Sequence, residues 1–176
     1  MQNSSLLKNP YISGILNHTN LMKSLSVEKA QIPNPALSQF KRLLGEWETV
    51  GTHPYVPDKT LSGRSLFKWM EGGAFLIWYS EIDEENFPTG IAIFGSDDAA
   101  GQLFMLYFDE RKISRKYDVS VKDNIIKWWR DVPGFSQRCT WTFSGNDTII
   151  ANGELCRDGT TWERDLEQTF NRIRKQ

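Results

Sequence analysis

The stretch LLGEWETVGTH, residues 43 to 53, ends a helical pattern and begins a strand at a single glycine. Just upstream, in NPALSQFKRLL, Asn34 can cap and Pro35 suits the first helical position. Leu37, Phe40, Leu43 and Leu44 fall on one face, so a short helix over 35–44 is expected, stopped by Gly45. Downstream, Trp47 sits two residues past the glycine, at the entrance to a pattern that alternates every second residue.

That alternation continues to the C-terminus. It is punctuated by PYVPD, EGG, DEENFPTG, SDDAAG, KDN, VPG, SGND and RDGT, all of them turn-forming segments. They divide the chain into ten expected strands, at 45–53, 62–70, 74–82, 89–96, 102–109, 114–121, 124–131, 136–144, 147–154 and 160–173. Links this short cannot make parallel crossovers, so the sheet is an antiparallel meander. A meander of this length exposes its edges unless it closes on itself, and closure gives an up-and-down barrel wide enough for a small ligand. The expected fold is mainly β: a closed antiparallel up-and-down barrel of about ten strands with one short N-terminal helix, the domain running over 34–176. Gly45 lets the chain turn close to one end of that barrel, and Trp47 points inward and plugs it.

A Gly-x-Trp at the first strand resembles the signature of the calycin superfamily, which includes lipocalins and fatty-acid-binding proteins. In that family an Arg from the last strand packs across the Trp, and Arg172 or Arg174 in FNRIRK stands in the matching place. LLGEW, FKWMEGGAFLIWYSE, FGSDDAAGQLFMLYFDERKISRKYDVS, PGFSQR and RDGTTWERDLEQTFNRIR together resemble an uncharacterised bacterial domain-of-unknown-function family of calycin-like barrels, over about residues 36–174. The resemblance implies a fold more than an activity. Nitrobindins are more distant relatives, with a haem held by a His near the end of the barrel. The histidines here are His18 and His53, and Thr49 breaks the glycine-rich continuation after the Trp, so haem is not expected and no cofactor is implied.

Composition narrows the partners. The 176 residues carry 21 Lys plus Arg against 22 Asp plus Glu, which gives no electrostatic reason to bind nucleic acid or an anionic membrane. Seven Trp and ten Phe point to a wide aromatic interior. No secretory signal pattern or long apolar run is present, so a cytoplasmic protein without membrane insertion is expected, with Cys139 and Cys156 as free thiols. Residues 1–33 have weak periodicity and read as a partly mobile arm with room for one short helix.

Alternation also orients the polar side chains. In SRKYDVSV, Lys116, Asp118 and Ser120 face water, which turns Arg115, Tyr117, Val119 and Val121 inward. In TWERDLEQTF, putting Glu163, Asp165 and Glu167 outside leaves Trp162, Arg164, Leu166, Gln168 and Phe170 inside. A charge inside an apolar barrel needs a carboxylate, a carbonyl, water or an anionic ligand. Arg115 and Arg164 are therefore the candidate anion-binding residues, with Asp109 as the alternative partner within the protein. Tyr117, Trp162, Tyr107 and His53 are candidate lining groups, and Arg64 and Arg138 are weaker ones. Cys139 shares inward parity with Trp141 and reads as a small core residue. No metal-binding, nucleotide-binding or nucleophile motif occurs. Three functions remain: a barrel binding a small apolar, anionic molecule under a helical lid, an isomerase- or cyclase-type enzyme using Arg and Tyr, or a packed scaffold for protein interaction.

Overall fold

The structure is a computed structural model and describes residues 33–174. The arm expected over 1–33 lies outside the described residues except for Pro33, and so does His18.

Ten strands form, close to the expected bounds: β1 (Gly45–Thr52), β2 (Leu61–Met70), β3 (Phe75–Ile82), β4 (Gly90–Ser96), β5 (Leu103–Asp109), β6 (Ser114–Lys122), β7 (Ile125–Arg130), β8 (Ser136–Ser144), β9 (Thr148–Cys156) and β10 (Glu163–Arg172). Each pairs antiparallel with its sequence neighbours, and β1 also pairs with β10, so the sheet closes and leaves no edge. Alternation sets which side chains enter. On β6, Tyr117 and Val119 are buried while Lys116, Asp118 and Ser120 are exposed, as the sequence pattern requires.

The helix differs in type and in position from the expectation. Pro35–Leu43 is a 3₁₀ helix, capped by the Asn34 side chain accepting from the Ala36 N–H. With three residues per turn, Leu37, Phe40 and Leu43 form one straight stripe, and all three are fully buried. Leu44 falls off that stripe and serves as the C-cap. Gly45 is the first strand residue, not the helix stop. Nor is the helix a lid over the ligand entrance. It closes the opposite end, with Phe40 against Phe94 at 5.1 Å. Arg42 reaches from it to Asn124 at 2.7 Å and to the Gly145 carbonyl at 3.1 Å, both in turns of that end.

Trp47 completes this floor. Its indole N–H donates to the Leu43 carbonyl at 2.7 Å, and the guanidinium of Arg172, its cross-strand partner, lies 4.0 Å above the ring. Between the two candidates it is Arg172 that takes the position, donating also to the Leu44 and Arg42 carbonyls and pairing with Asp147. Arg174 pairs with Asp147 further out. Gly45 has φ of +114°, and a Cβ there would stand 3.2 Å from an Arg172 nitrogen, so the position needs a residue that tolerates this conformation and lets the Arg cross.

β10 departs from the expected alternation. Its register with β9 shifts between Arg164 and Glu167, a bulge that resets the pattern. Below the bulge Gln168 and Phe170 face inward as expected. Above it the orientation reverses: Asp165 is inside, and Arg164 and Trp162 are not. Arg164 is exposed and pairs with Glu167, while Trp162 lies on the outer surface beneath Arg138, 3.9 Å from its ring.

Candidate functional site

A cavity of about 640 Å³ occupies the barrel interior. Trp47 seals the end at which β1 begins. At the other end lie the loops that follow β1, β3, β5, β7 and β9. Tyr55, which is 69% exposed, lines the cavity together with Val56, Phe87 and Phe135, so the cavity reaches solvent between these loops. Its deeper wall is aromatic. Trp78 and Trp141 cross edge to face at 5.0 Å, and Phe67 stacks behind Trp78 at 5.6 Å. The interior is therefore not the fully packed one that the scaffold reading requires.

Across the mouth runs a hydrogen-bonded chain built from four elements. His53, just after β1, places Nε2 3.0 Å from Asp165 Oδ1 on β10. The other Asp165 oxygen accepts from the Gln137 amide on β8 at 2.7 Å. The Gln137 oxygen in turn accepts from the Tyr117 hydroxyl at 2.6 Å and from Arg115 at 3.3 Å, both on β6. Every one of these residues lines the cavity.

The chain fixes its own polarity. The Tyr55 backbone N–H points at His53 Nδ1, 3.1 Å away, and an N–H can only donate. Nδ1 is thus the acceptor and Nε2–H is the donor to Asp165. Since Asp165 takes the Gln137 NH₂, the Gln137 oxygen must face Tyr117 and Arg115. His53 is 8% exposed and Asp165 9%, so both bonds are largely shielded from bulk water. With both ring nitrogens engaged inside the fold, His53 positions Asp165 and is not placed as a free base.

Arg115 is the charged member with capacity left. Its guanidinium lies 4.5 Å over the Phe135 ring and donates to a neutral amide oxygen, and no carboxylate among the described residues pairs with it. The expected protein partner, Asp109, is taken elsewhere. It binds Arg111 at 2.7 Å and accepts from the Tyr107 hydroxyl at 3.1 Å. Burial alone would push the Asp109 carboxyl up, but the hydrogen bonds from Arg111 and Tyr107 outweigh it and hold it below its usual range. Tyr107 is pushed well above the ordinary phenol range by burial and by the neighbouring Asp109 charge, and Tyr117 is raised by burial. Both therefore stay neutral hydroxyls. Cys139 is buried against the cavity, and desolvation pushes its thiol far up and favours the neutral form. Cys156 is likewise free and buried.

Of the residues singled out from sequence, Arg115, Tyr117, Tyr107 and His53 meet at the cavity; Arg164 and Trp162 do not. Arg138 is bound on the outside by Glu154, and Arg64 is exposed. The sequence reading misses Gln137 and Asp165. For Gln137 the signal is present, since it shares parity with the inward Cys139 and Trp141. Arg130 is missed as well: it follows Trp128 at inward parity in IIKWWR, and its charge acts on Tyr117. Among the described residues no group of three or more His, Cys, Asp or Glu could hold a metal ion, and no helix is long and apolar enough to cross a membrane.

The fold and site define a closed ten-stranded antiparallel barrel with an interior cavity plugged at one end. No protein-family profile matches the chain, and no curated protein sequence does. Solved structures do match. The crystal structure of Rv2717c from M. tuberculosis is similar with a TM-score of 0.59 at 14% identity, covering 82% of this chain and 100% of that one. At that identity the likeness is one of fold.

Proposed function

We propose that the barrel binds a small apolar molecule with an anionic end, the anion held by Arg115 and the body lodged against Trp78, Trp128 and Trp141. The observation that carries this reading is Arg115 itself: a half-buried guanidinium at the wall of a cavity of about 640 Å³ whose hydrogen bond goes to a neutral amide. An anion would complete its fork with charge-assisted bonds. Gln137 and Tyr117 hold the site in place beforehand, which lowers the ordering cost of binding.

The test is calorimetric titration with naphthalene-2-carboxylate and its uncharged counterpart naphthalene-2-methanol. Arg115→Met keeps the apolar stem and removes bonds worth about 1.5–3 kcal/mol, so carboxylate affinity should fall at least about tenfold. The alcohol should bind as before. Equal weakening of both, or no binding of either by the parent protein, overturns the proposal.

The same reading leaves haem without an axial ligand at His53. Both of its ring nitrogens already sit in hydrogen bonds, whereas haem iron needs a free imidazole lone pair. Titration with hemin should give no saturable Soret shift. A stoichiometric shift that disappears in His53→Ala would show the opposite.

A further inference from the structure

Most polar groups on the cavity wall are already committed. Tyr107, Tyr117, Gln137, Asp165 and His53 bond as described, and the Ser65 hydroxyl accepts the Trp78 indole N–H at 3.1 Å. Two half-buried groups inside the barrel differ. Ser80 on β3 and Gln168 on β10 both line the cavity, and neither side chain has a hydrogen-bond partner among the described residues. The indole N–H of Trp128, another lining residue, is buried and equally without a partner. Along the same wall the aromatic surface is rigid, because Trp78 is held by Phe67 behind it, Trp141 across it and Ser65 at its nitrogen.

A saturated chain suits this interior poorly. It would cover Ser80 and Gln168 without replacing the hydrogen bonds they make to water, and its rotatable bonds would have to be ordered against fixed indole faces. A flat ring offers a π-face to the tryptophans and an edge that can carry a donor and an acceptor for the amide and the hydroxyl.

We infer that the ligand is a planar heteroaromatic acid with a hydrogen-bonding edge, read by Arg115 at its carboxylate and by Gln168 and Ser80 at that edge. The inference rests on the anion-binding reading above. It makes Gln168 and Ser80 the residues that determine specificity, because a site built to hydrogen-bond a ring edge discriminates strongly against an isostere that lacks one.

Three probes separate the possibilities in calorimetric titration: 4-oxo-1,4-dihydroquinoline-2-carboxylate, naphthalene-2-carboxylate of the same two-ring shape, and decanoate. The oxoquinoline acid should bind about tenfold tighter than the naphthalene acid, and decanoate weakest of the three. Gln168→Met, which keeps length and removes the amide, should weaken the oxoquinoline acid and bring the two ring acids close together, the naphthalene acid holding its affinity or gaining because its ring no longer covers an unpaired amide. Ser80→Ala should act in the same direction, and Arg115→Met should weaken both ring acids alike. Equal affinity for the two ring acids, tightest binding of decanoate, or equal loss of both ring acids in Gln168→Met overturns the heteroaromatic inference while anion binding stands. If none of the three binds the parent protein, the anion site falls and this inference with it.

Discussion

Trp47→Ala is expected to lower the unfolding free energy by about 3–5 kcal/mol, the usual cost of emptying a buried Trp and a large share of the stability of a domain this size. The side chain is fully buried at the closed end of the barrel. Removing it deletes more than apolar volume. The Leu43 carbonyl loses its indole donor, and Arg172 loses the ring beneath it. Arg172 is already partly desolvated, which pulls its guanidinium below its ordinary range, so it depends on the groups around it. Trp47→Phe keeps a ring under Arg172 but loses the indole N–H and part of the buried volume, so its cost should fall between about 0.5–1.5 kcal/mol, that of a hydrogen bond alone, and the full cost of Trp47→Ala. Chemical denaturation of the two variants measures the difference. An unchanged midpoint for Trp47→Ala would mean that the indole is not the plug of the closed end.

The floor was legible in the sequence because its signals are local. A glycine, a tryptophan two residues on, and apolar residues three apart in the segment before them are enough to place a helix, a turn and an inward ring. The strands were legible for the same reason, since alternation and turn residues are read within a few positions of each other. Even so, the three-residue spacing of Leu37, Phe40 and Leu43 fits both kinds of helix, so the sequence does not distinguish the 3₁₀ form that is found.

At the mouth, alternation runs unbroken on β6, where it places Arg115 and Tyr117, and on β8, where Gln137 shares the inward parity of Cys139 and Trp141. On β10 one extra residue in the ladder turns Asp165 inward and Arg164 outward, and nothing in TWERDLEQTF marks the bulge, because Glu, Arg and Asp are all acceptable on either side of it. The consequence for function is large. With Arg164 inside, the cavity would hold two uncompensated cations. With Asp165 inside, the added charge is a carboxylate already shared between His53 and Gln137, and Arg115 keeps bonds to spare.

That carboxylate gives the second large effect. Asp165→Asn is isosteric, yet it should cost about 1–3 kcal/mol, because the chain from Tyr55 to Arg115 has no place for another donor. If the oxygen of the new amide faces His53, its NH₂ meets the Gln137 NH₂. Rotating the Gln137 amide by half a turn moves the conflict to Arg115. If the NH₂ of the new amide faces His53 instead, the imidazole must carry its proton on Nδ1, where the Tyr55 N–H already points. Adding Gln137→Glu resolves every contact. The carboxylate at position 137 then accepts from Tyr117, from Arg115 and from the amide NH₂ at position 165, whose oxygen accepts from His53. The double variant Gln137→Glu/Asp165→Asn should therefore regain most of the stability lost in the single one, with net charge unchanged. It also places a carboxylate directly on Arg115, so naphthalene-2-carboxylate should bind at least about tenfold more weakly than to the parent protein. Thermal melts and titrations of the four proteins in this cycle test both halves. Failure of the double variant to regain stability would break the hydrogen-bond chain as described, and full affinity in a folded double variant would remove Arg115 from the binding site.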